Sequence, residues 1–401
     1  MESPLPIAAR AADIAPFHVM EVQTAARALE AAGRDIVHLE IGEPDFPTPA
    51  PVLAAARAAL GSGDIKYTSA LGLPELRRAI ARHYGERYGV DVAPERVIVT
   101  AGSSAALLLV MALLVDRDGE VMMADPSYPC NRNIVRVIEG RALAVPVGAD
   151  TRYQLDAGLV QRAWTPRTRA VLLASPSNPT GTAIAAGELG AIAAAVAGRR
   201  VALVVDEIYL GLSYGERPRS ALDIAAAHAD HLFVVSSFSK YFNLTGWRLG
   251  WIVAPERFVR DLEKLAQNLY ICPATLSQRA ALACFDPATL AILEERRQAF
   301  EARRDFLVPA LRDLGFEIPV TPTGGFFVYA DSSRLAADSQ RWCRDALEGC
   351  GVAITPGIDF GAYRAAEHVR FAYTIDVARL AVGIERLRHW LAAQRRPRSS
   401  R

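Results

Sequence analysis

Between about residues 48 and 284 the chain repeats one alternation seven times: an Ala/Leu-rich helical stretch followed by a short, almost purely apolar run. The runs lie at 96–100, 120–124, 142–146, 170–174, 201–205, 232–236 and 250–254. Strands this apolar leave neither face for water, so both faces of their sheet need helices, the pattern of a mostly parallel sheet. From about residue 287 the pattern changes to a long charged helix at 290–314, strand-like pieces at 326–330, 352–354 and 369–372, and closing helices. The predicted class is therefore α/β. Residues 48–286 form a large domain with a seven-stranded, mostly parallel sheet covered by helices. Residues 287–401 form a smaller α+β domain, joined by the N-terminal segment 1–47, which carries an arm, a helix at 19–32 and a short strand at 36–41.

One stretch tests that assignment. Residues 97–115 carry no charge and have the length of a membrane span. Thr100, Gly102, Ser103 and Ser104 break its first part, leaving residues 105–115, too short to cross a bilayer. With 45 basic against 44 acidic residues in 401, the chain also lacks the cationic excess of a nucleic-acid binder. Arg395, Arg396, Arg398 and Arg401 read as a solvated basic tail. Five widely spaced cysteines without a CxxC pair point to free thiols in a reducing cytoplasm and to no metal site. Glu2, Arg10 and Asp13 interrupt any apolar leader, and no signal peptide is expected.

In open α/β sheets ligands gather at the carboxyl ends of the strands. There the first run is followed by Gly102-Ser103-Ser104, which suits a phosphate or an ordinary helix N-cap. Later ends carry Asp125-Pro126-Ser127-Tyr128, then Ser175 to Gly181 with Asn178 between two prolines, then Asp206-Glu207 with Tyr209. A carboxylate at the end of a buried strand needs a cation or a donor, so either a helix cap or a positive partner should face Asp206. The next end is Ser237-Phe238-Ser239-Lys240, with Arg248 eight residues on. Only three basic residues are lysines (Lys66, Lys240 and Lys264) against 42 arginines. An amine can lose its proton and attack a carbonyl, which a guanidinium cannot.

These residues, with Gly42-Glu43-Pro44-Asp45-Phe46 and Tyr67, Gly72 and Leu76-Arg77, resemble the class I/II aminotransferases of the aspartate aminotransferase fold (fold type I) over residues 20–385. The opening motif is similar to a large bacterial subgroup. The resemblance implies pyridoxal 5′-phosphate as cofactor. It makes Lys240 the Schiff-base lysine and proton carrier, Asp206 the partner of the pyridine nitrogen, and Asn178 and Tyr209 the partners of the phenolic oxygen. Tyr128 would stack on the ring. Gly102, Ser103, Ser104, Ser237 and Arg248 would hold the phosphate, with Tyr67 reaching it from the other subunit of a homodimer. Arg370, beside the Gly42 backbone and Asn178, would take the substrate carboxylate.

The implied activity is a ping-pong transfer of the amino group of an L-amino acid to a 2-oxo acid, in the cytoplasm, with a β-lyase as the alternative on the same fold. A transcription regulator on this fold would need an N-terminal DNA-binding domain, for which the residues before the first motif leave no room. Ser104 and Ala105 replace the Gln or Lys with which some acidic-substrate enzymes hold a distal carboxylate. With Phe17, His18, Tyr270, Cys272 and Phe326 as expected pocket liners, this points to a neutral or aromatic substrate side chain.

Overall fold

The computed structural model describes residue 5 and residues 7–395; Arg396, Arg398 and Arg401 of the expected basic tail lie outside them. The first strand, β1 (Val37–His38), is shorter than the predicted 36–41. Seven further strands follow: β2 (Val97–Thr100), β3 (Glu120–Asp125), β4 (Arg141–Pro146), β5 (Thr168–Ala174), β6 (Ala202–Asp206), β7 (Leu232–Ser237) and β8 (Gly250–Val253). They form one sheet in the order β2-β8-β7-β6-β5-β3-β4. All pairings are parallel except those of β8, which runs antiparallel to both β2 and β7. Because β8 runs backwards, Arg248, two residues before it, stands at the edge where the other strands end.

Six of the seven strands are buried along nearly their whole length. The exception is β4, where Val145 alone is buried. It is the terminal strand of the sheet. The uncharged stretch at 97–115 resolves into β2, a turn at Gly102 and the helix Ser103–Leu114, which buries Leu107, Leu109, Val110 and Met111 against the sheet. Among the described residues no helix is long and apolar enough to cross a membrane.

The C-terminal third opens with the helix Pro287–Leu314. It continues through β9 (Phe327–Asp331), β10 (Val352–Ala353), β11 (Thr355–Pro356) and β12 (His368–Ala372), and ends in the helix Val377–Arg395. The predicted strand at 352–354 is in fact two strands serving two sheets. The first, β10, pairs in parallel with β1, which ties the N-terminal segment to this region, whereas β11 joins the antiparallel sheet β11-β12-β9. In that sheet Arg370 sits opposite Thr355 on one side and Tyr329 on the other.

Candidate active site

A cavity of about 260 Å³ opens at the carboxyl ends of the strands. Gly42, Ser103, Ser104, Tyr128, Asn178, Asp206, Tyr209, Lys240, Arg248 and Arg370 all line it, drawn together from seven stretches of chain. Gly102, Ser237 and Tyr67 do not.

Lys240 follows β7, and its Nζ donates to the Gly42 carbonyl at 2.7 Å. Burial of the amine lowers its pKa from 10.5 to about 8, so a substantial neutral fraction exists near neutral pH. Asp206 ends β6. Burial raises its carboxyl to about 6, and its one hydrogen bond among the described residues comes from the Ile208 N–H at 3.0 Å. It caps no helix: the expected choice between a cap and a cationic partner leaves room for a cation on the cavity side. Tyr209 is wedged edge-on between Phe326 and Phe327, at 5.4 and 5.7 Å between ring centres.

Arg370 is buried, and its guanidinium lies over the Phe327 and Phe360 rings at 4.3 and 4.8 Å. It donates to Asn178 Oδ1 at 2.9 Å, to Thr355 Oγ1 at 3.3 Å and to the Glu40 carbonyl, and its Nε has no partner. All of these acceptors are neutral. A buried guanidinium without a carboxylate is costly, and burial lowers its pKa to about 10; an anionic ligand would relieve that cost.

Gly102, at φ 84°, turns the chain into the helix Ser103–Leu114, whose first N–H groups lack intrahelical partners. A Cβ at Gly102 would come within 2.6 Å of an Arg248 guanidinium nitrogen, so only glycine lets that arginine lie across the helix start. Arg248 itself takes a left-handed φ of 52° and donates to the Thr245 carbonyl at 3.0 Å. Helix N–H groups beside a guanidinium form a fitting cradle for a phosphate.

Ser237, expected at the phosphate, does not line the cavity in this chain. Ser237 Oγ donates to the Leu249 carbonyl at 3.0 Å and is hydrogen-bonded to Ser239 Oγ at 2.9 Å, and Ser239 is the serine that lines the cavity. Tyr67 is 80% exposed and stands outside the cavity of its own chain. Of the expected pocket liners only Phe17 is present; His18 instead faces Glu21 at 3.0 Å. Phe326 lies behind Lys240, its ring 5.6 Å from Nζ, while the adjacent Phe327 turns to the cavity, as alternation along a strand requires. Tyr270 and Cys272 lie away from it. Thr355 and the Glu40 carbonyl, which position Arg370, carry no sequence signal, because a backbone carbonyl has none and threonines are common.

The sheet and the cavity together define an α/β enzyme of fold type I. Residues 34–387 match the model for aminotransferase class I and II, and the chain belongs to that family. It is 39% identical over 383 residues to the valine–pyruvate aminotransferase of Mycobacterium tuberculosis, covering 96% of this chain and 98% of that one. To the aspartate/prephenate aminotransferase of Thermus thermophilus it is 35% identical over 373 residues, covering 92% and 95%. The crystal structure of an aminotransferase from Mycobacterium tuberculosis superposes with a TM-score of 0.93 at 39% identity, covering 97% of this chain and all of that one. The enzyme transfers amino groups between amino acids and 2-oxo acids and uses pyridoxal 5′-phosphate. With relatives named as transaminases throughout, the lyase alternative is not favoured.

Proposed function

We propose that the enzyme works in two half-reactions at this one cavity, on amino acids with apolar side chains. The observation that carries the proposal is the grouping of a lysine amine with lowered pKa, a buried carboxylate open to a cation, and a buried arginine without a carboxylate. When bound, pyridoxal 5′-phosphate withdraws electrons from the substrate Cα and stores the amino group between the half-reactions. Asp206 would hold the pyridine nitrogen and keep it protonated. Lys240 would hold the aldehyde covalently and, once displaced by the substrate, would move the proton at Cα. Asn178 and Tyr209 would hydrogen-bond the phenolic oxygen, and Tyr128 would cover the ring. The N–H groups and hydroxyls of Gly102, Ser103 and Ser104, with Arg248 and Ser239, would hold the phosphate. Arg370 forks the substrate carboxylate, with Asn178 and the Gly42 backbone beside it.

Lys240, Arg248 and Arg370 are the cations lining the cavity, and each has a task already. The remaining wall includes Phe17, Val19, Met20, Ile41, Leu107 and Phe360. Such a wall leaves a distal carboxylate unpaired and gives an apolar side chain a contact surface; the valine–pyruvate relative supports the same choice. The test is to mix cofactor-loaded enzyme with each common amino acid and follow conversion of the cofactor to its amine form by absorbance. Branched and aromatic amino acids should convert at least tenfold faster than aspartate; the reverse order overturns the assignment.

The enzyme acts as a homodimer in which Tyr67 completes the partner's phosphate site. Support comes from Tyr67 together with Ile65, Leu269 and Ile271, all exposed apolar side chains. The Thr275 hydroxyl, bonded to the Lys66 carbonyl at 2.6 Å, brings the two stretches together. Ile271 holds φ 67°, unusual for a β-branched residue. The free cysteines among the described residues support a cytoplasmic location.

A further inference from the structure

At the opposite edge of the large sheet, where β5, β6 and β7 begin, lies a second and larger cavity of about 770 Å³. Its walls are the loops that lead into those strands and the start of the helix Glu256–Tyr270. Arg169, Arg199, Arg200 and Arg257 line it, with Asp230 as the one carboxylate. The neighbouring Arg167 is neutralised by Glu120. None of these four has a carboxylate partner among the described residues.

All four side chains are exposed, and three of their guanidinium groups are held in place without being neutralised. Arg199 lies over the Trp164 ring at 4.4 Å and Arg257 over the Phe258 ring at 4.7 Å. Arg257 donates to the Asp230 carbonyl at 2.8 Å, and Arg169 donates to the Pro166 and Thr168 carbonyls at 3.0 and 3.3 Å. Stacking uses a guanidinium face and each carbonyl uses one donor, so most of the five N–H groups per arginine stay available. Four cations around one cavity repel one another, and a multiply charged anion removes that repulsion while accepting forked hydrogen bonds.

We propose that this cavity is an anion site for a small molecule bearing a diphosphate or two neighbouring phosphate groups. Phosphate oxygens match the guanidinium forks, and the high charge of a diphosphate suits four arginines against one aspartate. The ligand bridges the loops preceding β5, β6 and β7. Those strands lead at their far ends to Asn178, Asp206 and Lys240, so an occupied site stabilises the part of the sheet that carries the active-site residues.

The test uses enzyme saturated with pyridoxal 5′-phosphate, so that the active-site phosphate position is filled, in buffer free of sulfate and phosphate. Calorimetric titration with pyrophosphate should show one saturable site per chain, weakening at least threefold between 50 and 200 mM KCl. ADP and a sugar bisphosphate are titrated in parallel, and whichever binds more tightly than pyrophosphate identifies the source of the phosphates. Arg199→Gln combined with Arg257→Gln should weaken pyrophosphate at least tenfold and leave anion-free turnover unchanged. Arg199→Lys with Arg257→Lys keeps the charge and should still weaken it about threefold through loss of the forks; this pair carries the test should the glutamine pair fail to fold. Absence of saturable binding, or equal affinity in wild type and variants, overturns the proposal, and citrate binding as tightly as pyrophosphate overturns the assignment to phosphate.

Discussion

Arg370 donates to the side-chain oxygen of Asn178 at 2.9 Å across 192 positions of sequence, joining the small antiparallel sheet to the loop after β5. The bond orients a buried guanidinium and at the same time fixes which way the Asn178 amide faces. Its N–H₂ is left for a ligand, because its oxygen is taken.

Removing the guanidinium should therefore damage substrate binding more than cofactor binding. Truncating one partner of a buried charged contact costs roughly 2–5 kcal/mol, so Arg370→Ala should lower kcat/KM by about 30-fold or more while the cofactor content stays at wild type. Arg370→Lys keeps a charge but loses the fork and should fall between the two. Steady-state kinetics with a saturating oxo acid decides it: a kcat/KM within threefold of wild type would exclude Arg370 as the carboxylate site.

Lys240 predicts a pH dependence. Only the neutral amine attacks an aldehyde, and burial brings its pKa down from 10.5 to about 8. In cofactor-free enzyme the initial rate of covalent pyridoxal 5′-phosphate capture, followed by stopped-flow absorbance, should rise with pH, reach half its maximum near pH 8 and then level off. Lys240→Ala should show neither capture nor turnover. A half-maximal pH of 10 or above, or an active Lys240→Ala enzyme, would contradict both the environment and the role assigned to this residue.

Tyr67 gives a test of shared sites. Loss of one phosphate hydrogen bond should weaken cofactor binding about tenfold in Tyr67→Phe. The informative experiment mixes chains: a hybrid of Lys240→Ala and Tyr67→Phe chains contains one site with both native residues, provided Tyr67 reaches across. Fluorescence titration of the hybrid should recover wild-type cofactor affinity at half the sites, whereas affinity that stays weak at every Lys240-containing site would place Tyr67 outside the partner's cavity.

Sequence order alone determined the seven-stranded sheet, its helical cover and most of the cavity. The apolar runs and the turns after them are local, and the sheet brings the ends of its parallel strands to one edge. Lys240 stood out by its chemistry and its position, since no arginine can form the covalent bond asked of it. The tertiary structure decided what depends on contacts between distant segments. Ser239 faces the cavity and Ser237 does not, because Ser237 is bound to Leu249. Phe327 covers Arg370 while Phe326 backs Lys240, a choice set by the facing of adjacent residues at β9. Arg370 is one of 42 arginines in composition, but the fold buries it against neutral acceptors alone. Arg169 lies in β5, Arg199 and Arg200 in the loop before β6 and Arg257 at a helix start, and their common cavity exists only once β5, β6 and β7 lie side by side.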